Sequence, residues 1–322
     1  MLTSWKIIEK GRCFNLAFKN LDFLFDRAKK GTIMRVVVAA AEDGEVLEAV
    51  KKANSEGIVE ATLVGDEGRI AMVAEERSID ISSFEIISAK SEEEAAAKAV
   101  QTVSSGNGDL LMKGFIKTST LLKAVLNKEW GLRSGNLLSH LFLFEVPAFD
   151  RVIGLTDGGL NTYPGLQEKA AIVNNAVCCY HCLGVETPKV AALAAVEVVN
   201  PDMPCTIDAA ALVQMNRRNQ IKGCIIDGPL ALDNALSEEA ARHKGLTSEV
   251  AGHADILLVP DIEAGNLLGK VILFMANGAG AGVVLGAKVP VILTSRGDTA
   301  RTKALSIALG AVLAKSQGMK RS

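Results

Sequence analysis

Short uncharged runs rich in valine and isoleucine alternate along this chain with Ala-rich amphipathic stretches, and a polar or glycine turn separates them nearly every time. Met34 to Ala41 (MRVVVAAA) reads as a strand, followed by Glu42-Asp43 and a helix through Ala53. Glu60 to Val64 is the next strand. Asp109 to Met112 leads through Lys113-Gly114 into a helix reaching about Asn127. Val190 to Val199, Cys224 to Ile226, Ile256 to Val259 and Val289 to Leu293 continue the series. Buried strands that alternate with helices predict an α/β fold whose mostly parallel sheets are covered on both faces. Ligands in such folds gather at the carboxyl ends of strands, so the turns there are the places to look for chemistry.

One of these turns, Ser295-Arg296-Gly297-Asp298, ends an apolar strand and opens a strongly helical sequence. A helix N-terminus offers unpaired N–H groups and a positive dipole end, and an arginine adds a planar fork suited to phosphate or carboxylate. The turn reads either as an anion site or as a helix cap made by Asp298 or Thr299. Lys113, Gly114, Lys117 and Thr118 form a second such turn. There Gly114 permits close backbone approach, the lysines bring charge, and Thr118 is placed to cap the next helix. Thr156 to Pro164 and Asp227 to Asn234 are further shaped turns, the latter with Asp227 and Asp233 as possible ligand orienters. Pro260 to Lys270, which contains Asn266, imitates a phosphate-binding P-loop. Only three residues separate Gly265 from Gly269 and Val271 follows Lys270, so the match fails. Gly278, Gly280 and Gly282 alternate without the dinucleotide spacing.

Composition narrows the function. The 322 residues suffice for two domains. The apolar share is 49% and the aromatic share 4%, so the core is built from Ala, Val, Leu and Ile. A net charge of −2 argues against nucleic acid as a main partner. Lys6, Glu9, Lys10 and Arg12 interrupt the N-terminus before an apolar segment forms, so no signal peptide is expected. Val271 to Ala287 falls short of the ~20 residues a membrane helix needs and reads as a helix end followed by a Gly-rich strand. Phe14, Phe18, Leu21 and Phe25 stand at helical spacing, which predicts an amphipathic helix used for core or subunit packing. Cys178, His181 and Cys182 share a helical face, but no second ligand pair accompanies them, so no metal site is expected. Six cysteines, three of them clustered, point to free thiols in a reducing, cytoplasmic setting.

Six segments in order resemble the phosphate acetyltransferase/phosphate butyryltransferase family, most closely its butyryl branch. They are VAAAED (Val38 to Asp43), MKGFIKTSTLLKAVL (Met112 to Leu126), LLSHLFLFEVP (Leu137 to Pro147), IDGPLALDNALS (Ile226 to Ser237), ADILLVPDIEAGNLLGK (Ala254 to Lys270) and LTSRGDTARTKALSIA (Leu293 to Ala308). The resemblance implies the fold of isocitrate and isopropylmalate dehydrogenases: two α/β domains with the active site in the cleft between them. Residues 1–148 with 293–322 would form the first domain and 149–292 the second. It implies reversible transfer of a butyryl or branched short-chain acyl group between CoA and inorganic phosphate. Both are substrates, with no further cofactor, and the family suggests a homodimer or larger assembly without membrane contact. Arg296 would hold phosphate, Ser295 the reacting carbonyl, and Asp298 would orient Arg296 or accept a proton. Lys113, Gly114 and Thr118 would cradle phosphate, and Ser139 and His140 would line the cleft, with Asp227 and Asn266 also contacting substrate.

Thr302 departs from the acetyltransferase pattern, which has an acidic residue there, so no acid–base role carries over to it. The segment before about Leu21 has no family counterpart. Three alternatives stand beside the butyryl reading: a phosphate acetyltransferase, a metal- and NAD-dependent decarboxylating dehydrogenase on the same fold, and a non-catalytic acyl-CoA-binding homologue.

Overall fold

The valine and alanine runs become parallel strands, and the acidic turns become helix caps, in the computed structural model of the chain, which describes residues 18–319. A short helix α1 (Phe23–Ala28) precedes β1 (Met34–Ala39), α2 (Gly44–Ser55) and β2 (Val59–Gly65). Then come α3 (Glu67–Glu76), β3 (Glu85–Ser88), α4 (Glu92–Thr102), β4 (Leu110–Lys113) and α5 (Thr118–Val125). Asp43, Asp66 and Ser91 each precede a helix, and their side chains accept from the amides of Val46, Arg69 and Glu94. This is the N-cap geometry their residue types favour.

Two strands that the sequence pattern does not isolate follow, β5 (Ser139–Glu145) and β6 (Ile153–Thr156). After them come α6 (Leu166–Cys182), β7 (Lys189–Leu193), α7 (Pro204–Arg217), β8 (Ile225–Leu230), α8 (Leu232–Leu236) and α9 (Glu238–His243). The chain continues with β9 (Ile256–Leu258), α10 (Ile262–Phe274), β10 (Ala279–Leu285), β11 (Val291–Ile292) and α11 (Ala300–Met319). The run expected to stay extended to Val199 stops at Leu193, where its last pairing, with Leu230, ends; Val198 and Val199 are exposed beyond it.

The strands form one sheet in the order β3-β2-β1-β4-β11-β10-β5-β6-β9-β7-β8. Its two flanks are parallel, as the apolar runs imply: Val36, Val37, Val38 and Ala39 of β1 are all fully buried. The centre differs. β10 runs antiparallel to both β11 and β5, and β5 antiparallel to β6, so the two parallel flanks point in opposite directions. The alternating glycines belong to this seam. Gly282 lies opposite Phe142 and Gly280 opposite Phe144. A Cβ at Gly280 would fall 1.9 Å from Phe142 Cε1, so the glycines make room for an aromatic ring.

Helix α11 has apolar residues all round. Ala304, Leu305, Ile307, Ala308, Leu309 and Ala311 are fully buried against α2, β10 and α1, as expected for a core helix. The helix expected over Phe14 to Phe25 is seen only from Phe23; Phe14 lies outside the described residues. Phe18 instead stacks on Phe23 with ring centroids 3.8 Å apart, and Arg27 covers the Phe18 ring at 5.1 Å. Leu21 and Leu24 are buried beside α11, and Lys315 ties α11 to the end of α1 through the carbonyls of Ala28 and Lys30. Among the described residues no disulfide is formed, and no helix is long and apolar enough to cross a membrane. Because α11 packs on so many elements, Leu305→Ala should destabilise the chain by about 2–5 kcal/mol. Urea unfolding should show this as a lower midpoint with an unchanged slope.

Candidate active site

Lys113 ends β4, and the Ser295 to Asp298 turn follows β11, the strand beside it. Both open on a cavity of about 520 Å³. Across β10 the opposite wall is made of His140, Phe142 and Phe144 from β5, Leu155 from β6, and Gly265, Asn266, Gly269 and Leu273 from α10. His140, Phe142 and Phe144 share a face of β5 because side chains alternate along a strand.

The turn is closed on itself. Asp298 Oδ2 accepts from the Ser295 amide at 2.7 Å, and the Ser295 carbonyl accepts from the Asp298 amide at 3.1 Å. Lys303, buried on the first turns of α11, donates to the Asp298 carbonyl at 2.5 Å and the Ser295 carbonyl at 3.5 Å. Arg296 leaves the turn outward, its guanidinium carbon 5.5 Å from the centre of the Phe115 ring. That cation–π contact steadies the fork above the cavity.

The helix terminus behind the turn is largely occupied. The Ala300 amide donates to Glu45 Oε2 at 2.8 Å, and the Thr302 amide donates to Thr299 Oγ1 at 3.2 Å. Thr299 is therefore the cap, and the positive character of the turn comes from side chains more than from unpaired amides. Beside the cavity, α5 begins without a side-chain cap: Lys117 holds the cap position and Thr118, the first helical residue, lines the cavity.

Burial, with Arg296 and Lys303 nearby, holds the Lys113 ammonium below its ordinary range, while Asp43 and Asp298 pull it back up. Burial likewise lowers His140, partly offset by Asp157 and the Leu293 backbone, so its ring is neutral at pH 7. Asp157 is saturated. It accepts from the amides of His140, Gly159 and Leu160 and from Asn161 Nδ2, which fixes the loop beside the cavity. Helix α10 crosses that loop closely enough for a Cβ on Gly265 to lie 2.6 Å from Gly158 Cα. The segment that imitates a P-loop is thus a helix, capped by Asp261 and thinned for a backbone crossing.

Of the residues singled out in the sequence, Lys113, Thr118, His140, Asn266, Ser295, Arg296 and Asp298 surround one cavity. Gly114 stands beside it, but its close approach is to its own chain: a Cβ there would lie 2.0 Å from the Ala40 carbonyl oxygen. Ser139 does not line the cavity; its hydroxyl accepts from Asn175 Nδ2 at 2.9 Å, because it precedes His140 on the strand and faces the other way. Asp227 is on β8, at the far edge of the sheet, where Oδ1 accepts from the Gly228 amide at 2.9 Å. Asp298 contacts the Ser295 amide, and among the described residues no ion pair joins it to Arg296. Lys303, Phe115, Thr294 and the Phe142–Phe144 wall escaped sequence reasoning. A lysine at the start of an otherwise apolar helix is the one signal that would have exposed Lys303.

Fold and cavity together define an α/β protein with cationic side chains and an aromatic wall facing one cavity. The phosphate acetyl/butaryl transferase family pattern matches residues 21–98 and 90–311, and the chain belongs to that family. A phosphate butyryltransferase of Clostridium acetobutylicum is 50% identical over 296 residues, covering 92% of this chain and 98% of the relative. A phosphate acetyltransferase of Thermotoga maritima is 47% identical over 285 residues, covering 88% and 97%. A branched-chain phosphotransacylase from Enterococcus faecalis V583 superimposes with a TM-score of 0.77 at 34% identity, covering 88% of this chain and 99% of that one.

Two outcomes follow from this geometry. The folded chain binds the Lys113 proton more weakly than the unfolded chain, so the unfolded state holds more protons between the two pKa values. This group therefore makes stability rise with pH across that window. Lys113→Met removes the buried charge; it should melt above the wild type at pH 7 and lose the wild-type rise in Tm on adding inorganic phosphate. Gly114→Ala should destabilise by about 1–3 kcal/mol, because the methyl meets backbone that must shift; chemical denaturation measures it.

Proposed function

We propose that this chain catalyses reversible transfer of a short-chain acyl group, butyryl or branched, between CoA and inorganic phosphate. The carrying observation is the placement of Lys113 and Arg296 on one bank of a single cavity and Phe142, Phe144 and Leu155 on the other. The activities named for the relatives support the same reading.

A phosphate oxygen attacks the thioester carbonyl carbon, the C–S bond breaks, and CoA leaves as the thiolate. Both acyl compounds are activated, so no covalent enzyme intermediate is required. Holding phosphate against the carbonyl contributes up to roughly 7–11 kcal/mol of the acceleration. Arg296, a planar fork resting on Phe115, and Lys113 hold the dianion. Ser295, exposed to the cavity, donates to the carbonyl oxygen as negative charge develops there. Asp298 positions this serine through its amide, and Thr118 and Asn266 border the site. CoA and phosphate are substrates, and the reading needs no further cofactor.

The reading extends to the isocitrate dehydrogenase-like division, 1–148 with 293–322 against 149–292. Support comes from the reversal of strand direction at the centre of the sheet and from a cavity lined by both segments. Cysteines that form no disulfide among the described residues favour a cytoplasmic setting. Leu267, Val271 and Phe274, exposed on α10 at helical spacing, with Met275 exposed just after it, favour a homodimer or larger assembly.

The acetyl alternative draws on the Thermotoga relative. Against an acid at the acetyltransferase position, Thr302 is a buried helix residue that accepts from the Thr299 hydroxyl at 3.3 Å. Thiol release from acetyl-, butyryl- and isobutyryl-CoA, with and without phosphate, tests the proposal. Arg296→Ala should lower phosphate-dependent kcat/KM by about 100-fold while remaining folded; full turnover in that variant removes Arg296 from the reaction.

A further inference from the structure

Gly269 is the residue on α10 whose missing side chain packing does not explain. At Gly265, one turn earlier, a Cβ would collide with the Gly158 backbone at 2.6 Å. At Gly269 a Cβ would lie 3.4 Å from Phe144 Cζ and 3.7 Å from Leu155 Cδ2, both ordinary contact distances. Alanine fits there, and alanine is the better helix former. What its methyl would fill is cavity, since Gly269 lines it together with Phe142, Phe144, Leu155 and Leu273.

Aromatic and aliphatic groups gather on the side of that corner formed by β5, β6 and Leu273. The Phe142 and Phe144 rings stack with centroids 4.6 Å apart, and Leu155 and Leu273 add hydrocarbon. Lys113 and Arg296 stand on the other bank, and Lys270, next to Gly269 on α10, also borders the cavity. Lys113 belongs to β4, and β11 and β10 lie between it and β5, a separation of roughly 14 Å at strand spacing. A thioester whose carbonyl meets Ser295 finds the largest group of apolar side chains, Phe142, Phe144, Leu155 and Leu273, in the direction of α10.

We infer that the corner between α10 and β5–β6 receives the acyl chain, and that the absence of a side chain at Gly269 sets the length the cavity accepts. The inference rests on the acyl-transfer reading for the identity of the chain. A methylene in an apolar pocket changes discrimination by about tenfold or more, so one methyl at this position is a measurable intrusion.

The test compares wild type, Gly269→Ala and Leu273→Ala as full chains, with thermal melts to establish folding. kcat/KM is measured with acetyl-, butyryl- and hexanoyl-CoA at fixed phosphate. Binding of S-ethyl- and S-butyl-CoA, thioethers that cannot transfer an acyl group, is measured by calorimetry. Gly269→Ala should lower kcat/KM for butyryl-CoA relative to acetyl-CoA by about tenfold or more, with a parallel loss of S-butyl over S-ethyl affinity. Leu273→Ala should move preference the other way, toward hexanoyl-CoA, and decides the matter by itself if Gly269→Ala fails to fold. Changes equal at every chain length, or none, overturn the inference. If the wild type releases no CoA from any substrate, the acyl-transfer reading fails separately. The thioether titrations then still decide the pocket: loss confined to the longer chain supports it, and binding indifferent to chain length overturns it.

Discussion

Two lysine ammonium groups are buried near one end of β4, and the site is arranged around the cost of keeping them there. Lys113 and Lys303 repel each other in a medium that screens poorly, and the Arg296 charge lies close by. Protein groups meet part of this cost: the Ser295 and Asp298 carbonyls face Lys303, and Asp43 and Asp298 oppose Lys113. In the proposed reaction the phosphate dianion supplies the remaining compensation, so the ammonium groups that shape the turn also attract the substrate.

The opposite wall follows from the seam in the sheet. Were the centre parallel like the flanks, the carboxyl ends of all strands would lie on one side. The antiparallel β10 and β5 instead turn an aromatic face toward the end of β4. Glycines on β10 let the Phe142 ring lie across the strand, so the floor of the cavity is apolar where a polar strand would have hydrated it. Charge and hydrocarbon meet in one pocket because two sheet directions meet there.

Much of this was legible in the sequence where strand, turn and helix follow each other closely. MRVVVAAAED and LLMKGFIKT declare their strands, and the turns after β4 and β11, which line the cavity, stood out by their lysine and arginine. Register was not legible. Ser139 and His140 are neighbours in sequence, yet pleating sends one into the cavity and the other to Asn175. Asp227 reads in sequence as a turn residue like the others, but it belongs to β8, at the edge of the sheet. β5 and β6 carry boundary residues, Pro147 after the first and Gly158-Gly159 after the second, but the pairing of β5 with β10 joins residues more than a hundred positions apart. Lys303 and Phe115 look like ordinary surface residues until tertiary contacts are known.

The position of β10 and β11 in the chain has a kinetic consequence. They are the last strands to be synthesised, yet they lie at the centre of the sheet and join its two flanks. Each flank can form from local βα units, but the join requires closure of very long loops, an entropic cost that slows folding. The floor of the cavity and the turn that carries Arg296 are made at that closing step. A chain with both flanks folded and the seam open would therefore display native-like secondary structure without a substrate site, and recovery of function would lag behind recovery of helix content.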